Sequence, residues 1–87
     1  MSADPILPRL QALIVRVFGP DRVATPPEPE TLLGDGGLSL DSGRLLELVL
    51  GCEAEFGVTF DSASDFTRES LNTVQTLAAV IRAKWPG

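Results

Sequence analysis

The stretch GLSLDSGRLLELVLGCEAEFG, residues 37–57, joins the end of a loop to an amphipathic helix pattern. Its apolar residues recur three and four positions apart, as on one helical face: Leu45, Leu48, Val49, Cys52 and Phe56. Leu46 and Leu50 are expected to widen that buried face. Asp41 is a suitable N-cap and Gly57 a suitable left-handed C-terminal residue. The stretch therefore predicts a helix that starts directly after Asp41.

A first helix is predicted upstream of this stretch. Its apolar residues follow one helical stripe, which consists of Ile6, Leu7, Leu10, Leu13, Ile14, Val17 and Phe18. Asp4 is in position to cap the helix, with Pro5 as its first residue. Gly19 and Pro20 then end it, because proline does not continue a helix.

Residues 20–40 predict a long loop, because they are rich in proline and glycine and have no helical period. Leu32 and Leu33 are expected to hold this loop against the core, with help from Leu38 and Leu40. A loop of this length is unusual in so short a chain and is often functional.

A last helix is predicted from about Val74 to Lys84, with Asn72 or Thr73 as its N-cap. Its apolar stripe consists of Val74, Leu77, Ala78, Ile81 and Trp85. We expect Trp85 to close the base of the bundle.

The segment between the second and last helices, residues 58–71, is ambiguous. Val58 and Phe60 alternate with Thr59, but two apolar residues are too few to predict a strand. The run from Ser62 to Asp65 is suited to start a short helix. We expect Phe66 and Leu71 to anchor the segment in the core.

The length of 87 residues favours one small domain, residues 1–87, and the hydrophobic content of 44% is enough for a modest core. Three long helices, with a short fourth left open, predict an all-α fold. We expect a small bundle of three to four helices with a long first loop.

Several kinds of catalytic and metal site need residues that the chain lacks or has only once. It has no His, no Tyr and one Cys, so a Ser-His-Asp or Cys-His arrangement and a zinc or copper site are not expected. The segment from Asp35 superficially resembles a calcium loop, but Leu46 stands where the closing Glu belongs. The glycines of GDGG are not followed by Lys and Ser or Thr, so they make no phosphate-binding loop. An enzyme acting alone is therefore not expected.

The charge distribution separates partner classes. A net charge of −5 argues against nucleic acid binding. Residues 28–69 carry ten acidic and two basic side chains, which indicates either a solvated face or a docking surface for basic partners. No apolar run is long enough to span a bilayer, and the N-terminus lacks a secretory pattern. We expect a monomer located in the cytoplasm.

Ser42 follows the predicted cap Asp41, and by local physics alone it is a helix-start residue whose hydroxyl accepts backbone N–H bonds. A helix N-terminus also favours a phosphate group there. Cys52 lies four residues from both Leu48 and Phe56, so we interpret it as a core residue.

The sequence LSLDSGRLLELVLGCEAEFGV, residues 38–58, resembles the second-helix region of the acyl carrier proteins, with Asp-Ser followed by an LELV and EFGV helix. The sequence ESLNTVQTLAAVI, residues 69–81, resembles their last helix, so the likeness spans nearly the whole chain. It implies that Ser42 receives a 4′-phosphopantetheine arm from coenzyme A, whose thiol carries acyl groups as thioesters. Asp41 belongs to the same attachment motif.

The resemblance also implies the partners. These are a phosphopantetheinyl transferase and acyl-loading and acyl-processing enzymes, such as ligases and ketosynthases, of fatty-acid, polyketide or related specialised synthesis. Docking on the second helix is implied for Gly43, Arg44, Glu47 and Glu53. Glu47 and Glu53 match acidic positions of the family, whereas Gly43 replaces a large apolar residue and Arg44 a commonly acidic one. These two departures indicate a dedicated pathway.

Two alternatives remain open at the level of sequence. A peptidyl or aryl carrier of a nonribosomal pathway shares the arm and the fold, although LSLD before the serine is not typical of those modules. An unmodified helical interaction module, in which Ser42 only starts a helix, needs no arm. Intact mass after treatment with a transferase separates this third interpretation from the two carriers.

Overall fold

A computed structural model describes residues 5–19, 21, 23, 27–34, 36–61, 65–67 and 69–85. Within these ranges there are three helices, α1 (Ile6–Phe18), α2 (Ser42–Phe56) and α3 (Val74–Lys84), and no strand. Helices α2 and α3 both pack against α1 and hardly contact each other. The predicted all-α bundle with a long first loop is confirmed, and it has three helices in the part of the chain described.

The start of α1 differs from its prediction. The helix begins at Ile6, so Pro5 occupies the N-cap position instead of the first helical position, and Asp4 lies outside the described residues. Pro5 is already close to helical geometry, with φ −73° and ψ −15°. Because proline has no N–H, this position leaves one unpaired donor fewer at the helix start.

The other helix ends follow the sequence closely. The Gly19 N–H donates to the Val15 carbonyl at 2.8 Å, and Gly57 ends α2 in the left-handed conformation with φ 67°. Of the two candidate caps for α3, Thr73 is the one used. Its hydroxyl accepts from the Thr76 N–H, and the Thr76 hydroxyl accepts from the Thr73 N–H, which makes a capping box.

The core is one cluster formed by the facing stripes of the three helices and a few loop residues. Its fully buried side chains are Ile6, Leu10, Leu13, Ile14, Leu33, Leu48, Val49, Cys52, Val74, Leu77 and Ile81. Gly51 faces α1, where a Cβ would lie 3.4 Å from Val17. This glycine therefore lets α2 lie close against α1.

Leu46 and Leu50 contradict the sequence-based expectation that they widen the buried face of α2. They are 47% and 54% exposed. The physical reason is that α2 has a helical neighbour on the α1 side and hardly touches α3. Its buried stripe is therefore narrow, and residues about 100° around the helix from that stripe face water.

The segment after α2 forms no helix or strand in its described residues. Val58 and Phe60 are nevertheless buried, and the Phe60 N–H donates to the Glu53 carboxylate at 2.8 Å. The prediction that Phe66 is a core anchor is wrong: it is 39% exposed, and its ring meets the buried Phe60 ring edge-on. Residues 62–64, where a short helix was left open, lie outside the described part of the chain.

The long first loop is tied to the start of α3 by backbone hydrogen bonds. The Leu33 N–H donates to the Asn72 carbonyl at 2.9 Å, and the Val74 N–H donates to the Thr31 carbonyl at 3.1 Å. Leu33 is fully buried, Leu40 is nearly so, and Leu32 and Leu38 are half-buried. The predicted contact of the loop with the core is confirmed. This contact fixes the path of the backbone that leads to Asp41.

An ionic cluster joins α1 to the end of α2. The Arg9 guanidinium donates to the Glu55 carboxylate at 3.0 Å and to the Glu55 carbonyl at 2.9 Å, and Arg16 donates to the same carboxylate at 2.9 Å. Arg9 also lies over the rings of Phe56 and Trp85, at 4.7 and 5.5 Å from their centroids. Trp85 packs edge-on against Phe56, as expected for a residue that closes the base of the bundle.

We expect this cluster to make stability depend on pH. The hydrogen bonds from Arg16 and Arg9 lower the pKa of the Glu55 carboxyl in the folded state. A lowered pKa adds stability that is complete above the unfolded-state pKa and is lost as the pH falls through the folded-state value.

In urea unfolding, the Glu55→Gln variant should lose about 1 kcal/mol at pH 7, because both partners are only partly shielded from water. Between about pH 5 and pH 3, wild-type stability should fall more steeply than that of the variant, so that the two converge. Parallel curves over this range would show that the ionisation of Glu55 adds no stability to the fold.

Candidate functional site

Ser42 is the first residue of α2, and Asp41 is its N-cap. Asp41 has extended backbone geometry, and its carboxylate accepts the Arg44 N–H at 2.8 Å. Because Asp41 caps the helix, the Ser42 hydroxyl is not used for that purpose. Ser42 is exposed, and its hydroxyl has no hydrogen-bond partner among the residues that the structure describes.

This position has two chemical consequences. The Ser42 side chain lies at the positive end of the α2 dipole, where a covalently attached phosphate is favoured. The negative charge of the Asp41 carboxylate opposes part of this stabilisation of a phosphate, but the carboxylate is engaged in its own hydrogen bond from the Arg44 N–H. The site therefore presents an accessible nucleophile in a place that tolerates a phosphodiester.

The turn before Asp41 positions this helix start. The Leu38 N–H donates to the Leu32 carbonyl at 2.8 Å, and the Ser39 N–H donates to the Gly34 carbonyl at 2.9 Å. Ser39 is left-handed, with φ 56°, so it reverses the chain just before buried Leu40. A Cβ at Gly37 would lie 2.0 Å from the Leu32 carbonyl oxygen, so only glycine allows this close backbone approach.

An open cavity of about 360 Å³ lies beside the start of α2. It is lined by Leu32, Gly34, Leu45, Phe66, Thr67, Leu71 and Asn72. Leu45 is three residues after Ser42 and therefore shares its side of the helix. An apolar group linked to Ser42 is thus within reach of a mainly hydrocarbon wall.

The outer face of α2 carries a strip that contains two exposed leucines. These are Leu46 and Leu50, which the sequence predicted to be buried. Ser42, Leu46 and Leu50 follow one another at intervals of four residues, so they form one line along the exposed face. The four-residue spacing of Ser42, Leu46 and Leu50 was a signal in the sequence that these three residues share one face of the helix. The sequence does not show that this side of α2 is left uncovered by the other two described helices.

The residues predicted to dock partners divide into two groups. Gly43, Arg44 and Glu47 are exposed and lie within two turns of Ser42. Glu53 is half-buried near the other end of α2, and its carboxylate accepts the Phe60 N–H. The first three residues thus lie close to Ser42, whereas Glu53 binds the backbone of the segment that follows the helix.

The acidic middle of the chain also carries fewer unpaired negative charges than the sequence indicates. Glu55 pairs with Arg9 and Arg16, and Asp65 pairs with Lys84 at 2.6 Å. These cations come from α1 and α3, outside the acidic stretch. The charges of Asp41 and Glu47 remain at the surface close to Ser42.

Cys52, the single cysteine, is fully buried, and burial raises the pKa of its thiol to about 12. The neighbouring Glu53 and Glu55 add to the shift. It is a core residue, as predicted. Across the described ranges there is no cluster of three or more metal-ligating side chains and no helix long and apolar enough to cross a membrane.

Comparison of the chain with protein-family models, with curated proteins and with solved structures gives no match.

Proposed function

We propose that this protein is an acyl carrier, which holds acyl intermediates as thioesters on a 4′-phosphopantetheine arm attached to Ser42. The observation that carries the proposal is the state of Ser42. It is an exposed hydroxyl at a helix N-terminus that is already capped by Asp41, so the serine is not needed to start the helix. The resemblance of residues 38–58 to the carrier motif gives this otherwise unused hydroxyl a purpose.

Attachment of the arm transfers the phosphopantetheine group of coenzyme A to Ser42. The Ser42 oxygen loses its proton and forms a phosphodiester with the pantetheine-bearing phosphorus of coenzyme A, and adenosine 3′,5′-bisphosphate leaves. The transferase supplies the catalysis, since this chain has no His or Tyr and its thiol is buried. The chain contributes the nucleophile and a helix end that favours the new negative charge.

The cavity beside Ser42 supports an apolar cargo. Leu32, Leu45 and Leu71 provide hydrocarbon surface, and Leu45 is three residues after Ser42 on α2. An acyl chain that returns from the arm toward the protein would bury apolar surface there. Aminoacyl cargo of a peptidyl carrier would gain less from these walls, which favours the acyl interpretation over its nearest rival.

The outer face of α2 supports transient docking of partner enzymes. Leu46 and Leu50 are exposed, and Glu47 lies between them at the surface. A partner with an apolar pocket bordered by basic side chains would complement this face. Because the strip begins at Ser42, a partner bound there would lie next to the arm.

The test is intact mass. Incubation of the protein with coenzyme A, magnesium and a permissive phosphopantetheinyl transferase should add one phosphopantetheine group per chain. A mass that stays unchanged with several transferases would favour an unmodified interaction module, for which the exposed Leu46 and Leu50 are the supporting observation.

Partner choice is expected to depend on the two departures from the family motif. A Cβ at Gly43 would meet only the Asp41 carboxylate at 3.6 Å, so a side chain fits there. Leucine at this place would restore an exposed apolar contact beside Ser42, and it would favour the helix by up to roughly 1 kcal/mol. Replacing Arg44 by aspartate would remove a charge that opposes basic partners.

The Gly43→Leu/Arg44→Asp variant should therefore be modified severalfold faster than the wild type by a fatty-acid-type transferase. The rates are read by mass, and the two single variants separate the apolar from the charge effect. Equal rates for all four proteins would mean that these positions do not set partner choice.

A further inference from the structure

Two residues with polar side chains, Thr67 and Asn72, are among the described residues that line the open cavity beside the start of α2. Thr67 uses its hydroxyl locally, since it donates to the Ser70 hydroxyl at 3.0 Å and accepts the Ser70 N–H at 3.1 Å. Asn72 is exposed, and its side-chain amide bonds to none of the residues that the structure describes. Asn72 therefore offers a ligand both donor and acceptor groups.

The backbone that carries this amide is fixed by the first loop and by α3. The Asn72 carbonyl accepts the Leu33 N–H at 2.9 Å. The adjacent residues Leu32 and Thr73 form an antiparallel bridge, and Thr73 caps α3. An asparagine side chain is short, so a fixed backbone restricts where its amide can lie. Little ordering of Asn72 is then needed when a ligand binds.

The rest of the cavity lining is mainly apolar and carries no charge in its described residues. Besides Thr67 and Asn72, these residues are Leu32, Gly34, Leu45, Phe66 and Leu71. They offer apolar surface to a hydrocarbon chain but no counter-ion to a charged group. A plain hydrocarbon chain that displaces water from the Asn72 amide would leave it unpaired, and an amide that loses water without gaining a partner weakens binding.

We propose that the cavity selects acyl chains that carry a hydroxyl group, and that the Asn72 amide binds this hydroxyl. A hydroxyl both donates and accepts, so it can pair with either end of the amide. It thereby replaces the water that the chain displaces. The identification of the ligand as an acyl group rests on the proposed function. The preference for a hydroxyl rests on the unpaired Asn72 amide and its uncharged surroundings.

Binding of soluble thioesters to the full-length, unmodified protein tests this preference. The probes are S-octanoyl-N-acetylcysteamine and its 3-hydroxy, 5-hydroxy and 7-hydroxy analogues, which are neutral and differ only in the hydroxyl group. Their dissociation constants are measured by ¹H–¹⁵N NMR titration. At least one hydroxylated probe should bind about threefold to tenfold more tightly than the plain octanoyl probe, which is the gain expected from one hydrogen bond.

The NMR spectrum also reports on the amide itself. Asn72 is the only asparagine in the chain, and the Asn72→Leu variant lacks its side-chain signal, which assigns that signal in the wild type. The favoured hydroxylated probe should shift the Asn72 side-chain signal more than the plain probe does, because only the former bonds the amide.

Asn72→Leu also tests the role of the amide, since leucine has a similar size and no polar group. This variant should bind the plain probe at least as tightly as the hydroxylated ones. Its helix content should not change, because the Asn72 side chain has no bond to lose among the described residues. Gln75→Leu is the matched control. It removes another exposed amide from α3, at a residue outside the cavity lining, and it should keep the wild-type preference.

Any one of the following results would overturn the proposal. Wild-type affinity that is equal for all probes would mean that the hydroxyl is not recognised. A preference that persists in Asn72→Leu would assign recognition to another group, such as Thr67. Absence of binding by every probe up to its solubility limit would mean that the cavity does not take an acyl chain. The probes diffuse freely and need no arm, so these outcomes are separate from a failure to modify Ser42.

Discussion

The Ser42→Ala variant should gain no phosphopantetheine under conditions in which the wild-type chain is fully converted. The new phosphodiester requires the Ser42 oxygen, and alanine has no atom to replace it. Stability should change by less than about 0.5 kcal/mol. The Ser42 hydroxyl has no partner among the described residues, and Asp41 keeps the helix capped in the variant.

Ser39→Gly is the matched control for this experiment. It removes another exposed hydroxyl three residues away, and glycine accepts the left-handed conformation of that position, with φ 56°. This variant should be modified to completion. Modification of Ser42→Ala, or loss of modification in Ser39→Gly with intact helicity by circular dichroism, would contradict the assignment of Ser42.

The Gly37→Ala variant should be destabilised by about 2–4 kcal/mol, the largest stability effect we expect from adding a single methyl group. Its Cβ would lie 2.0 Å from the Leu32 carbonyl oxygen and within 3 Å of two further Leu32 backbone atoms. Those atoms belong to the turn in which the Leu32 carbonyl accepts the Leu38 N–H. The methyl group therefore forces the turn open instead of moving a flexible side chain.

Gly34→Ala, three residues earlier in the same loop, is the control. A Cβ there meets nothing within 4 Å, and the backbone is not left-handed, so stability should change by less than about 1 kcal/mol. Urea unfolding of both variants measures the difference. Equal midpoints for Gly37→Ala, Gly34→Ala and the wild type would show that the turn does not have the geometry described.

Gly37→Ala also connects the fold to the proposed site. The turn delivers Leu40 to the core and Asp41 to the start of α2, so its distortion should slow modification of Ser42. We expect the transferase rate to fall in this variant at temperatures where it is still folded. The Gly34→Ala variant should keep the wild-type rate.

Short-range patterns were sufficient to predict the helices. The apolar stripe and Gly19 locate α1, Asp41 and Gly57 bound α2, and the pair Asn72 or Thr73 locates the start of α3. Each signal acts within about one helical turn, because a cap bonds residues two or three positions away and a stripe repeats every 3.6 residues. The resemblance of residues 38–58 likewise pointed to Ser42 from contiguous sequence alone. The attachment of an arm to Ser42 is a proposal.

The tertiary structure alone decided which apolar and charged residues have partners. Leu46 and Leu50 are apolar like core residues, but they are exposed because none of the three described helices packs on that side of α2. Glu55 and Asp65 belong to an acidic stretch, yet they are neutralised by Arg9 and Lys84. Arg9 and Glu55 are separated by 46 positions in the chain.

The physical reason is the range of the interactions. Helix periodicity and capping are properties of neighbouring residues, so the sequence by itself determined the three helices and the place of Ser42 at the start of one of them. Burial and ion pairing depend on which surfaces meet after the chain has folded back on itself. The exposed strip beside Ser42, the cavity behind it and the contact between Lys84 and Asp65 therefore follow only from the packing of α2 and α3 on α1.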